Sequence, residues 1–122
     1  MEAKVVEQSW GVVGYREFKD REAFDQALVG VAKIHGLPSR VVSGGASGAD
    51  TMAREWAAER GIPFVEHLPE RYTPAALLAR NTLIVQDSTM VIAFLSPKSK
   101  GTRDTIAKAR KAGVFTITIH IA

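Results

Sequence analysis

Val41-Val42-Ser43-Gly44-Gly45-Ala46-Ser47-Gly48-Ala49-Asp50 is the stretch from which the fold is read. Two β-branched residues preceded by Arg40 form the end of a short buried strand. Three glycines follow within five residues, and then a helix begins whose apolar positions Met52, Ala53, Trp56 and Ala57 share one stripe. A strand that passes through a glycine loop straight into a helix is half of a parallel βαβ unit. Glycine permits positive φ and lets backbone N–H groups approach a ligand closely. The helix start beyond the loop offers unpaired N–H groups and the positive end of a dipole. Two readings stand side by side for this run: a tight turn that needs glycine for steric reasons with Asp50 as a dipole partner, or a cradle for an anion. Three small residues exceed what a turn requires, which favours the cradle.

The same alternation extends in both directions. Upstream, Trp10-Gly11-Val12-Val13-Gly14 reads as a strand closed by glycine, and Asp20 caps a helix with apolar positions Phe24, Ala27, Leu28, Val31 and Ile34. Gly36-Leu37-Pro38 ends that helix and the next strand occupies Arg40 to Ser43. Downstream, the helix after Asp50 stops at Gly61-Ile62-Pro63, and Phe64-Val65-Glu66-His67 is a brief third strand. Thr73-Pro74 starts a helix that runs through Leu77, Leu78, Ile84 and Val85 to about Asp87. Met90 to Leu95 is continuously apolar, as a strand buried on both faces must be. Ser96 to Gly101 then leads into a helix from Thr102 to Ala112, and Val114 to Ile121 closes the chain as a last strand.

The order β-α-β-α-β-α-β-α-β predicts an α/β fold: one Rossmann-like, doubly wound, mainly parallel five-stranded sheet with right-handed crossovers. Strand order 3-2-1-4-5 is expected, because it creates a switch point beside the first strand. A single domain over residues 1–122 accounts for the length, with residues 1–8 read as a loose N-terminal extension.

Composition narrows the function classes. The hydrophobic share of 46% and charged share of 24% are those of an ordered globular chain. No apolar run approaches the roughly 18 residues that span a membrane. Met1 to Glu7 carries acids without a long apolar core, so a secretory signal is not expected and a cytoplasmic location is. The absence of cysteine excludes disulfides, thiolate metal sites and cysteine nucleophiles. His35, His67 and His120 stand on different elements, so no metal is expected, and no motif calls for a cofactor. The net charge of +3 suits an anionic ligand but is modest for a nucleic-acid binder. Lys98, Lys100, Arg103, Lys108, Arg110 and Lys111 form the one basic cluster, which reads first as a solvated helix face.

Ligands of such sheets sit beyond the carboxyl ends of the strands at the switch point. Three loops therefore supply the candidates: Gly14 and Arg16 after the first strand; Ser43, Gly44, Gly45, Ser47, Gly48 and Asp50 after the second; Lys100, Gly101 and Thr102 after the fourth. Arg80 and Asn81 join them from the third helix. Asn81 lies at helical spacing from Leu77, Ile84 and Val85 and so faces inward, where a polar group needs a partner. Arg80 is a planar cation suited to phosphate or carboxylate, or to a buried network. Neither glycine loop carries the G-x-x-x-x-G-K-[ST] pattern of nucleoside triphosphatases or the dinucleotide G-x-G-x-x-G.

The run from Val41 to Asp50 resembles the signature of the SLOG superfamily, which includes DNA-processing protein A and the lonely-guy phosphoribohydrolases. Gly14-Tyr15-Arg16, Arg80-Asn81 and Lys100-Gly101-Thr102 extend the resemblance, which in order and spacing is nearest the small YspA-like branch of bacterial and phage proteins. It implies a ligand-binding domain for nucleotides or nucleotide-derived signals, often a homo-oligomer, a dimer or larger. In the hydrolase branch a G-G-x-G-T-x-x-E motif supplies a glutamate three residues after its threonine. Here Thr105 holds that position and Lys98-Ser99 replaces the glycine pair, so the hydrolase activity is not carried over. The expectation is a non-enzymatic module that binds a small phosphorylated nucleotide-like ligand. Two alternatives remain open: an N-glycosidic phosphoribohydrolase of nucleoside monophosphates with Asp50 or Asp104 as its acid, and a binder of single-stranded DNA.

Overall fold

The computed structural model describes residues 5–122, with side chains from Glu7 onward. Its elements run β1 (Val5–Gly14), α1 (Arg21–His35), β2 (Leu37–Ser43), α2 (Ala49–Glu59), β3 (Phe64–Glu66), α3 (Pro74–Gln86), β4 (Met90–Leu95), α4 (Lys100–Lys111) and β5 (Phe115–His120). All pairings are parallel and the strand order is β3-β2-β1-β4-β5, the order expected from the alternation.

Period-two alternation in the central strands divides the core into two layers. Trp10, Val12, Val41, Met90, Ile92 and Phe94 turn to one face, where Phe24, Leu28 and Val31 of α1 and Met52, Ala53, Trp56 and Ala57 of α2 cover them. Val13, Val42, Val91 and Ala93 turn to the other, against Ile84 and Val85 of α3 and Ile106 and Ala109 of α4. Both faces of β4 are thus buried, which is why its sequence is an unbroken apolar run. Aromatic pairs anchor the first layer, with Trp10 and Trp56 stacked at 5.8 Å and Phe24 against Phe94 at 5.0 Å.

The starts of β1, β2 and α4 and the buried face of α1 depart from the sequence reading. β1 starts at Val5, so the residues expected to form a loose extension are strand from 5 onward, while residues 1–4 lie outside the described residues. The early start follows from a long partner: Val5 and Val6 pair with Leu37 and Pro38, which themselves belong to β2. Pro38 is tolerated there because β3 pairs only with Val41 to Ser43, leaving that end of β2 with an open edge. Ile34 is 81% exposed. The buried stripe of α1 passes through Phe24, Leu28 and Val31 to His35, whose ring meets Phe115 at 5.6 Å. α4 begins at Lys100, two residues early, which places Gly101 inside its first turn.

Among the described residues no helix is long and apolar enough to cross a membrane. β1 and β4 are adjacent, yet the chain leaves them for helices on opposite faces. That reversal opens a crevice beyond their carboxyl ends.

Candidate functional site

A cleft of about 450 Å³ occupies this position. Its walls come from the loop after β1 (Gly14 to Glu17), from Ala46 and Asp50, from one face of α3 (Leu77, Asn81, Ile84), and from Lys98 to Thr102 with Thr105.

The four helix N-termini differ in a way that bears directly on the cleft. Asp20 caps α1 by accepting from Ala23 N at 3.1 Å, and Thr73 caps α3 by accepting from Ala76 N at 3.3 Å. α2 and α4, whose first turns reach the cleft, have no side-chain cap. At α4 the reason is local. The Ser99 hydroxyl turns back to accept from Ser96 N at 3.0 Å, while Ser99 N donates to Ser96 O at 3.0 Å. This closed turn uses the cap residue's side chain for the loop. Among the described residues, Gly101 N and Thr102 N find no acceptor. Two N–H groups and a dipole end therefore open on the cleft wall.

The glycines divide by what a side chain would meet. A Cβ on Gly44 would lie 2.5 Å from Arg80 Nη1, and one on Gly48, at φ 77°, would lie 2.4 Å from Arg16 O. A Cβ on Gly14 would press on Ala49 and Phe94. These glycines, with Gly45 against Leu68, serve close packing of protein on protein. Gly101, like Gly30, Gly61 and Gly113, has nothing within 4 Å of its missing Cβ, and of these four it is the one that lines the cleft, so open space is left at the uncapped helix end.

Asp50 is held by the glycine loop. Its Oδ2 accepts from Gly44 N at 3.0 Å and Ala46 N at 3.3 Å, and the residue is buried while lining the cleft. Burial pushes its pKa up to about 6 against the opposing pull of those two N–H donors, Ser43 and the Arg80 charge. A buried carboxyl titrating near neutrality beside a cleft has the property of a proton donor or acceptor, and its loop bonds also give it a purely local job.

Behind the cleft runs a polar strap. Arg80 Nη1 donates to Gly44 O at 2.5 Å and its Nε to Asn81 Oδ1 at 3.0 Å. Asn81 Nδ2 donates to Asp104 Oδ2 at 3.1 Å and Gly101 O at 3.3 Å, and Lys108 Nζ lies 2.9 Å from the same Asp104 oxygen. The strap ties the β2 loop to the start of α4 across α3. It spends the Arg80 guanidinium on the protein itself, as the buried-network reading allowed.

Of the residues singled out in the sequence, Gly14, Arg16, Asp50, Asn81, Lys100, Gly101 and Thr102 line the cleft together. Ser43, Gly44, Gly45, Ser47, Gly48 and Arg80 stand behind it. Ser43 Oγ donates to Val12 O at 2.7 Å and Ser47 Oγ to Arg16 O at 3.1 Å, fixing the loop after β1. Asp104 is drawn away into the strap and does not line the cleft. Tyr15, Glu17, Leu77, Ser99 and Thr105 complete the walls without having been singled out as site residues. Leu77 was legible from its shared face with Asn81, and Thr105 from its place one turn after Thr102. Tyr15 donates its hydroxyl proton to Glu17, a hydrogen bond that raises the tyrosine pKa. The histidines remain apart: His35 on Phe115, His67 bonded to Asp87 at 2.5 Å, and His120 at the end of β5.

Comparison with known proteins agrees with this fold. Residues 12–72, half of the chain, match the profile of the family described as YAcAr: YspA, cpYpsA-related SLOG family. The X-ray structure of DNA processing protein A from Streptococcus pneumoniae superposes with a TM-score of 0.77 at 19% identity, over 95% of this chain and 51% of that one. The chain thus spans about half the length of that protein, and the likeness is one of fold. No curated protein sequence matches.

Proposed function

The chain belongs to the YspA, cpYpsA-related SLOG family, and from that premise we propose that its cleft binds a small phosphorylated, nucleotide-like ligand as a sensor or binding module. The observation that carries this reading is the pair of uncapped helices. α1 and α3 satisfy their N-termini with their own side chains, whereas α4 leaves two N–H groups facing an open cleft beside a residue without a side chain. A phosphate supplies the missing acceptors and complements the dipole. Lys98, Lys100 and Arg16 stand on the same walls to balance its charge. The rest of a nucleoside would lie along Leu77, Ile84 and Tyr15, which give the cleft its apolar and aromatic side.

Asp50 supports a second reading, the glycosidic hydrolase of nucleoside monophosphates. Its buried carboxyl reaches the cleft with a pKa raised to about 6, in the range a general acid uses. Asp104 does not share that support, being tied to Asn81 and Lys108. A role on single-stranded DNA rests on the fold likeness alone and is carried no further.

Thermal unfolding against a panel of nucleoside mono-, di- and triphosphates, with and without magnesium, tests both readings. A ligand present at a hundredfold excess over its dissociation constant adds about 2.7 kcal/mol to the folded state. A raised midpoint without released base is the expected result. Released base that disappears in Asp50→Asn would establish the hydrolase instead. No shift with any nucleotide would overturn the phosphate cradle.

A further inference from the structure

β5 is an edge strand, and a groove runs between it and α4. Ile121 N donates to Leu95 O at 2.9 Å, so strand alternation turns the N–H and C=O groups of Thr116, Thr118 and His120 to the open edge. The side chains of Thr118 and His120 lie in a groove of about 370 Å³ whose far wall is α4, with Leu95, Ile106 and Ala107 apolar within it and Arg103 and Arg110 alongside. Thr118 Oγ1 is buried without a hydrogen-bond partner. No acid lines this groove. Residues 96–111 hold six cations and one acid, Asp104, which is already paired with Lys108.

We propose that this groove is a docking site for an extended acidic peptide that adds to β5 as a sixth strand. The inference is independent of the nucleotide reading, since the groove shares no lining residue with the cleft. Three observations select this occupant. Arg103 and Arg110 stand seven residues apart on α4, about 10.5 Å along its axis. That is too far to grip one phosphate, and it lies between the ~6.7 and ~13.4 Å that separate carboxylates two and four residues apart on one face of a strand, a span that two long arginine side chains can cover. The free backbone groups of β5 ask for a partner that presents N–H and C=O in alternation at strand spacing, as an extended peptide does and a sugar-phosphate backbone does not. A second copy of this chain fits poorly. Two-fold pairing of β5 with itself would bring Arg103 and Arg110 of both copies together with no acid between them.

The probe is a short peptide of alternating glutamate and valine, titrated into the isotope-labelled full chain and followed by amide resonances and hydrogen exchange. Shifts are expected at Thr116, Thr118 and His120 and along α4 near Arg103, with slowed exchange at the three outward N–H groups. Arg103→Glu combined with Arg110→Glu should weaken binding by about tenfold or more. Thr118→Pro, a change an edge strand accepts, should remove it through the lost donor. Equal binding of a peptide of alternating lysine and valine would overturn the proposal. So would capture of the same resonances by a single-stranded oligonucleotide in preference to the peptide, or their shifting with protein concentration alone.

Discussion

Asp50→Asn is expected to change the pH dependence of stability more than stability at any single acidic pH. In the fold Asp50 is 5% exposed. Its pKa is pushed from 3.8 up to about 6, chiefly by burial. Between those values the folded protein binds more protons than the unfolded chain, so stability falls as pH rises through this window and is level above it. A rise from 3.8 to about 6 corresponds to roughly 3 kcal/mol. The asparagine variant keeps an oxygen to accept from Gly44 N and Ala46 N but has no proton to lose. Its stability relative to the parent should therefore improve by ~3 kcal/mol between about pH 4 and pH 7, then stay constant. Urea unfolding of both proteins at a series of pH values gives this difference, in which the carboxylates common to both cancel. A flat difference would refute the reasoning. So would a difference of opposite sign, because it would mean that Arg80 and the two N–H donors outweigh desolvation and that Asp50 is an ordinary ionised partner of the helix dipole.

Other substitutions test the remaining inferences. Gly101→Ala should stabilise the free protein by about 0.5–1 kcal/mol, since a helical glycine is replaced where nothing crowds the new methyl; Gly101→Leu should abolish the nucleotide-induced rise in melting temperature while the protein stays folded. Ser99→Asp would place a carboxylate at the open end of α4, where it competes with phosphate for the Gly101 and Thr102 N–H groups, so a calorimetric series should show a smaller nucleotide-induced rise in melting temperature than in the parent. Gly44→Ala should cost about 1–3 kcal/mol because its Cβ meets the Arg80 guanidinium at 2.5 Å. Most of that cost should vanish when Arg80→Ala is the background, and additivity in a double-mutant cycle would show that the contact does not govern the loop.

The order of elements was legible from the amino-acid sequence because each element carries a local signal. Met90 to Leu95 can only be a strand buried on both faces, Thr73-Pro74 and Gly61-Ile62-Pro63 mark a start and a stop, and the alternation of periods leaves a parallel sheet as the one arrangement that buries every apolar face. The loops that approach the switch point follow from that topology, so seven of the residues chosen there do meet in one cleft. What the tertiary structure decided are matters of non-local contact. Val5 joins β1 because Leu37 lies beside it, and His35 rather than Ile34 completes the stripe of α1 because Phe115 waits there from the far end of the chain. All glycines look alike in sequence, yet Gly44 and Gly48 make room for Arg80 and for the backbone of Arg16, while Gly101 makes room for nothing in the protein. A local pattern reports what a residue permits. Which permission is used depends on the neighbour that folding brings within a few ångströms.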